Sequence, residues 1–185
     1  GCILRAERKS ALFVHTSGRA TMRGGRIEGA GLACVEVASN GRAELSGVHM
    51  SRSSGGGVLV HAAGTASLSR CVVTSHAMSG CDVRDGGALE LAGGTQVLEC
   101  GKSGLYIHMS GHVLLGPGGV RVAGNAHHDI EVHSGGRTDR WASDVDTRPS
   151  SEGGRGPSLG ELEGHGVFLS AERDPERERD RGGDL

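Results

Sequence analysis

Pairs of apolar residues two positions apart recur along this chain at an almost fixed interval: Leu12/Val14, Val35/Val37, Val58/Val60, Cys81/Val83, Leu105/Ile107 and Ile130/Val132. Their first members stand 23, 23, 23, 24 and 25 residues apart, and four residues after each second member comes a glycine: Gly18, Gly41, Gly64, Gly87, Gly111 and Gly136. Eight residues past each first member a second apolar pair begins (Ala20/Met22, Ala43/Leu45, Ala66/Leu68, Leu89/Leu91, Val113/Leu115). A third follows at Gly25/Ile27, Val48/Met50, Cys71/Val73, Thr95/Val97 and Val120/Val122, and the length changes all fall between the second and third pairs. Apolar-x-apolar is the signature of a strand with one face inward, and a period above twenty residues marks a solenoid. The reading is an all-β fold: a single-stranded parallel β-helix of about six coils of 23–25 residues, three short strands to a coil. Strand crossovers between parallel strands are right-handed, so the helix is expected to be right-handed.

Composition agrees with that geometry. The 185 residues include 34 Gly but only one Trp, one Tyr and two Phe. Glycine disfavours helices and marks turns, while a narrow lumen suits aliphatic ladders such as Val37-Val60-Val83-Ile107-Val132 better than rings. One coil cannot bury its own apolar row against about 1–2 kcal/mol per residue of backbone ordering, so stability must come from stacking. Leucine-rich repeats need regularly placed Leu and an Asn or Cys at a fixed position, and left-handed hexapeptide helices need apolar residues every six positions. Neither pattern is present.

The period divides the chain. Residues 1–11 read as a partial preceding coil or an N-terminal cap, 12–136 as the repeat domain, and 137–171 as a linker with a further capping strand at 166–170. The dense charges of 172–185 read as a disordered tail. Starting at Gly1 rather than Met, the sequence reads as a fragment.

Lys and Arg number 20 against 22 Asp and Glu, a formal charge of −2, which removes the electrostatic reason to expect nucleic acid or an anionic membrane as a partner. No apolar run approaches the length of a membrane span. The cysteines Cys2, Cys34, Cys71, Cys81 and Cys100 are odd in number and irregularly spaced, which favours a reducing compartment over a disulfide framework. A cytoplasmic location is expected, with the nucleus, or the extracellular space behind an upstream signal peptide, as alternatives.

On a solenoid a site is a ladder repeated once per coil. The outward residues of the first strand are Phe13, Glu36, Leu59, Asp82, Tyr106 and Glu131, and the positions just after the strand are His15, Ala38, His61, Arg84, His108 and His133. This face gathers an aromatic at two levels, three carboxylates and four histidines, and it is the candidate binding surface, because aromatic and Arg side chains anchor interfaces. No metal site is expected, since parallel outward side chains diverge and zinc needs three or four ligands converging on one point. No cofactor and no catalytic residue is assigned. Phosphate-loop, hydrolase and metalloprotease motifs are absent.

The segments Gly57-Val58-Leu59-Val60-His61 through Ser79-Gly80-Cys81-Asp82-Val83-Arg84-Asp85-Gly86-Gly87 resemble the pectin-lyase-like right-handed β-helix superfamily, and within it are most similar to the β-helix repeats of F-box-only proteins and related carbohydrate-binding repeat domains. The likeness covers residues 12–136. It implies a substrate-recruiting arm of a ubiquitin ligase, which binds a protein partner and performs no chemistry. The superfamily also implies the alternative, a polysaccharide lyase, hydrolase or epimerase, or a carbohydrate-binding module, for which Asp82, Arg84 and Asp85 are the compact polar set.

Overall fold

In a computed structural model, which describes residues 1–140 and 167–169, the three apolar pairs of each coil become three strands, and each strand bonds to its counterparts one coil away. The first sheet stacks β2 (Leu12–Val14), β5 (Ala33–Val37), β8 (Gly56–Val60), β11 (Cys81–Val83), β14 (Leu105–Ile107) and β17 (Ile130–Val132). The second holds β3 (Arg19–Arg23), β6 (Arg42–Ser46), β9 (Thr65–Ser69), β12 (Ala88–Ala92), β15 (His112–Leu115) and β18 (Arg137–Arg140). The third holds β1 (Ile3–Leu4), β4 (Arg26–Glu28), β7 (His49–Ser51), β10 (Val72–Thr74), β13 (Thr95–Leu98) and β16 (Val120–Ala123). All these pairings are parallel and in register: Val37 lies opposite Val60, Val60 opposite Val83, and Val83 opposite Ile107. The architecture is the all-β solenoid of about six turns that the period requires. Among the described residues no helix is long and apolar enough to cross a membrane.

The inward rows are continuous. Val35, Val37, Val58, Val60, Cys81, Val83, Leu105 and Ile107 from the first sheet are fully buried, as are Leu68 and Leu91 from the second and Met50, Val73 and Val97 from the third. A polar member of the third row, Thr95, meets its own needs: its hydroxyl lies 2.7 Å from the Ala92 carbonyl and accepts the Cys71 N–H at 3.3 Å.

The repeated glycine has a cause that periodicity alone does not reveal. Between the first and second strands two successive residues take left-handed backbone angles, and these are mostly not glycines: Ser39 and Asn40 (φ 49° and 59°), Ala62 and Ala63 (47° and 58°), Met109 and Ser110 (46° and 62°). The glycine comes next, where a Cβ on Gly41, Gly64 or Gly87 would sit 2.5 Å from the carbonyl oxygen of Val14, Val37 or Val60 one turn earlier. It is there for close approach between turns, not for backbone freedom. Backbone freedom is needed at the corner where the coils lengthen, at Gly93 and Gly94 and again at Gly118 and Gly119, all with positive φ and cross-bonded through Gly94 N–H to the Gly119 carbonyl at 2.7 Å.

At the corner between the third and first sheets, a side chain on one turn caps the backbone of the turn before. Ser53 N–H donates to His76 Nδ1 at 3.2 Å, and Cys100 N–H donates to Asn125 Oδ1 at 3.0 Å. His76 is 2% exposed, and its Nε2 is buried without a hydrogen-bond partner.

The ends differ from the sequence reading in one respect. Arg137–Arg140 is not linker: as β18 it pairs with β15, with Thr138 opposite Val113 and Arg140 opposite Leu115. The apolar pattern stops there but the ladder does not, because parallel pairing uses backbone groups that every residue except proline carries. At the other end β1 pairs with β4, Leu4 opposite Ile27. Val167–Leu169 forms β19, antiparallel to β17 at the end of the first sheet, with Leu169 opposite Ile130. The rest of the expected linker and the charged tail lie outside the described residues.

Candidate functional site

Alternation along the first sheet turns one residue per strand outward, and parallel register aligns these residues along the rod. Phe13 is opposite Glu36, Glu36 opposite Leu59, Leu59 opposite Asp82, Asp82 opposite Tyr106 and Tyr106 opposite Glu131. The following positions stack as well, since the N–H groups of Ala38, His61, Arg84, His108 and His133 each donate to a carbonyl one turn earlier. The structure therefore brings the eleven candidate residues, together with Ala38, onto one face.

What the face does with them is more specific than a row of independent side chains. His61 Nε2 lies 3.3 Å from Glu36 Oε1, and His108 Nε2 lies 3.2 Å from Asp82 Oδ1, each histidine reaching back to the carboxylate of the turn before. His133 Nε2 lies 2.9 Å from Glu131 Oε1 on its own strand. Serines from the preceding corner complete two of these groups, Ser10 Oγ donating to Glu36 at 2.6 Å and Ser103 Oγ to Glu131. Burial alone would push Glu131 up, but the hydrogen bonds from Ser103 and His133 outweigh it and hold its carboxyl below the usual carboxylate range. Arg84 stands 3.8 Å from Asp82 and 3.9 Å from Asp85.

Rings are fixed too. Phe13 stacks on His15 with centroids 4.5 Å apart, Tyr106 stacks on His108 at 4.4 Å, and Tyr106 and His133 form a T-shaped pair with centroids 5.9 Å apart. Exposure is uneven: Phe13, on the first strand of the sheet, is 51% exposed, whereas Leu59, flanked by outward neighbours on both sides, is 9% exposed. Leu59 thus supports the face without being offered by it.

Sequence reasoning missed the histidine–carboxylate pairs, although a signal for them exists. Glu36 to His61 and Asp82 to His108 are separations of 25 and 26 residues, one coil plus the two or so positions between strand centre and strand exit. The cysteines play no part in the face. All five are free, and four are buried; burial pushes the Cys34 thiol up to about 12 and that of Cys81 well above its ordinary value. Among the described residues no group of three His, Cys, Asp or Glu side chains is arranged to hold a metal ion.

A family model described as a right-handed β-helix region matches residues 10–138, well over half of the chain. No curated protein and no solved structure matches it.

Proposed function

Since the chain belongs to the right-handed β-helix family, we propose that it is a non-catalytic repeat scaffold that binds a protein partner across its first sheet. The observation that carries this reading is the immobilised row: Phe13 and Tyr106 are held by ring stacking and Glu36, Asp82 and Glu131 by histidines, so little side-chain freedom is left to lose on binding. Half-exposed aromatics are the usual anchors of such surfaces. Four carboxylates (Glu36, Asp82, Asp85, Glu131) against one guanidinium (Arg84) make the face acidic with its histidines neutral, which favours a basic partner. The resemblance to the β-helix repeats of F-box-only proteins supports a partner of one kind, a polypeptide recruited for ubiquitination. A cytoplasmic, reducing location fits the five free cysteines.

The test is capture by wild-type protein and by a Phe13→Ala/Tyr106→Ala variant, with melting curves to establish that both are folded. Loss of specific partners from the variant is expected; equal recovery of every partner overturns the assignment. A second reading, a polysaccharide-active enzyme, draws on the hydrogen-bonded Asp82–His108 pair with Arg84 beside it, an acid–base pair next to a cation. Turnover of a uronate polymer in the presence of calcium, lost on Asp82→Ala, would replace the binding reading with that one.

A further inference from the structure

An open groove of about 920 Å³ runs along the outward face of the second sheet, remote in the sequence pattern from the row just described. Its floor is made of small hydroxyl residues at the centre, Thr65, Ser67 and Ser69 of β9, between larger side chains on β3, β6, β12 and β15. Two pairs of arginines flank its first half. On one rim Arg19 and Arg42 are direct register partners on adjacent strands. On the other, Arg23 lies opposite Ser46, and Arg70 reaches back across the corner to donate to Ser46 Oγ at 2.9 Å. Like charges directly opposite one another on neighbouring strands are destabilising, yet among the described residues none of these four has a carboxylate at salt-bridge distance. Elsewhere some arginines are paired: Arg5 and Arg52 share Glu28, and Arg137 faces Asp139.

From this arrangement we infer that the second-sheet groove binds an extended acidic peptide laid along the rod axis. The rims are four residues apart along each strand, about 13 Å. Successive side chains of an extended peptide point to opposite sides, so its carboxylates reach the two rims alternately. Guanidinium forks bind carboxylates bidentately. The central row Thr21, Glu44, Ser67 and Glu90 supplies acceptors for the peptide N–H groups. Five strands span about 19 Å, which about six extended residues cover. Among the described residues no Phe, Tyr or Trp lines the groove.

The experiment is fluorescence anisotropy of a labelled peptide of consecutive Glu residues, which presents carboxylates to both rims, added to the whole chain at low and at raised ionic strength. Saturable binding that weakens with salt is expected. Arg42→Glu and Arg70→Glu should each weaken it about tenfold or more, whereas Tyr106→Ala on the first sheet should leave it unchanged. Glu44→Gln keeps the acceptor but removes a negative charge, so it should tighten binding, an outcome misfolding cannot produce. Absence of saturable binding, or wild-type affinity in both arginine variants, overturns the inference. So does tighter binding of a heparin oligosaccharide or a single-stranded oligonucleotide, either of which would reassign the groove.

Discussion

At the scale of single residues, the fold depends on positions where one turn touches the next. Gly64 and Gly47 look alike in the sequence but are not. A Cβ on Gly64 would meet the Val37 carbonyl oxygen at 2.5 Å, while one on Gly47 meets nothing within 4 Å and is opposed only by its φ of +65°. Gly64→Ala must push two turns apart, costing about 2–3 kcal/mol, against about 1 kcal/mol for Gly47→Ala; urea denaturation of the two variants measures both. His76 gives the molecule an acid sensitivity. Burial pushes its imidazole down from 6.5 to about 4, so below the unfolded value the unfolded chain takes up a proton that the folded one refuses. Stability is therefore full above about pH 6.5 and falls as pH drops toward 4, by up to about 3 kcal/mol. His76→Asn supplies the same kind of acceptor that Asn125 supplies two coils on, and should remove this part of the pH dependence while keeping the cap.

At the scale of the strand, the energetic unit is a rung with a neighbour on each side. Val60 is wholly buried between Val37 and Val83, whereas Val132, on the last turn, is only partly buried. Val60→Ala should cost about 2 kcal/mol and Val132→Ala less than about 1 kcal/mol, because a side chain that is only partly buried has less to lose. β18 shows the opposite fault. Thr138 takes the inward slot below Val113, and its hydroxyl is buried with no hydrogen-bond partner. Thr138→Val removes that unmet group at nearly constant shape and should stabilise the protein by about 1 kcal/mol, read as a raised melting temperature.

At the scale of the whole molecule, a stack in which each turn contacts only its neighbours frays from its ends. Amide hydrogen exchange should accordingly be slowest in β8 to β12 and faster toward β1 and β18. The strand positions from Leu12 to Val132, the inward rows and the outward row from Phe13 to Glu131 were legible in the sequence. A parallel solenoid converts one period into one neighbour relation, so counting 23 to 25 residues suffices to find who stands above whom. What counting could not supply depends on distances across turns and around corners. The reach of His61 to Glu36 and of His108 to Asp82 depends on side-chain length. The covering of Leu59 depends on both its neighbours. The extension of the ladder through Arg137–Arg140 depends on backbone groups that no apolar pattern reports. The period by itself determined the path of the chain; only the tertiary structure decided which charges meet and which, like the arginines of the second sheet, are left facing solvent, because pairing is settled over a few ångströms and periodicity resolves no finer than a turn.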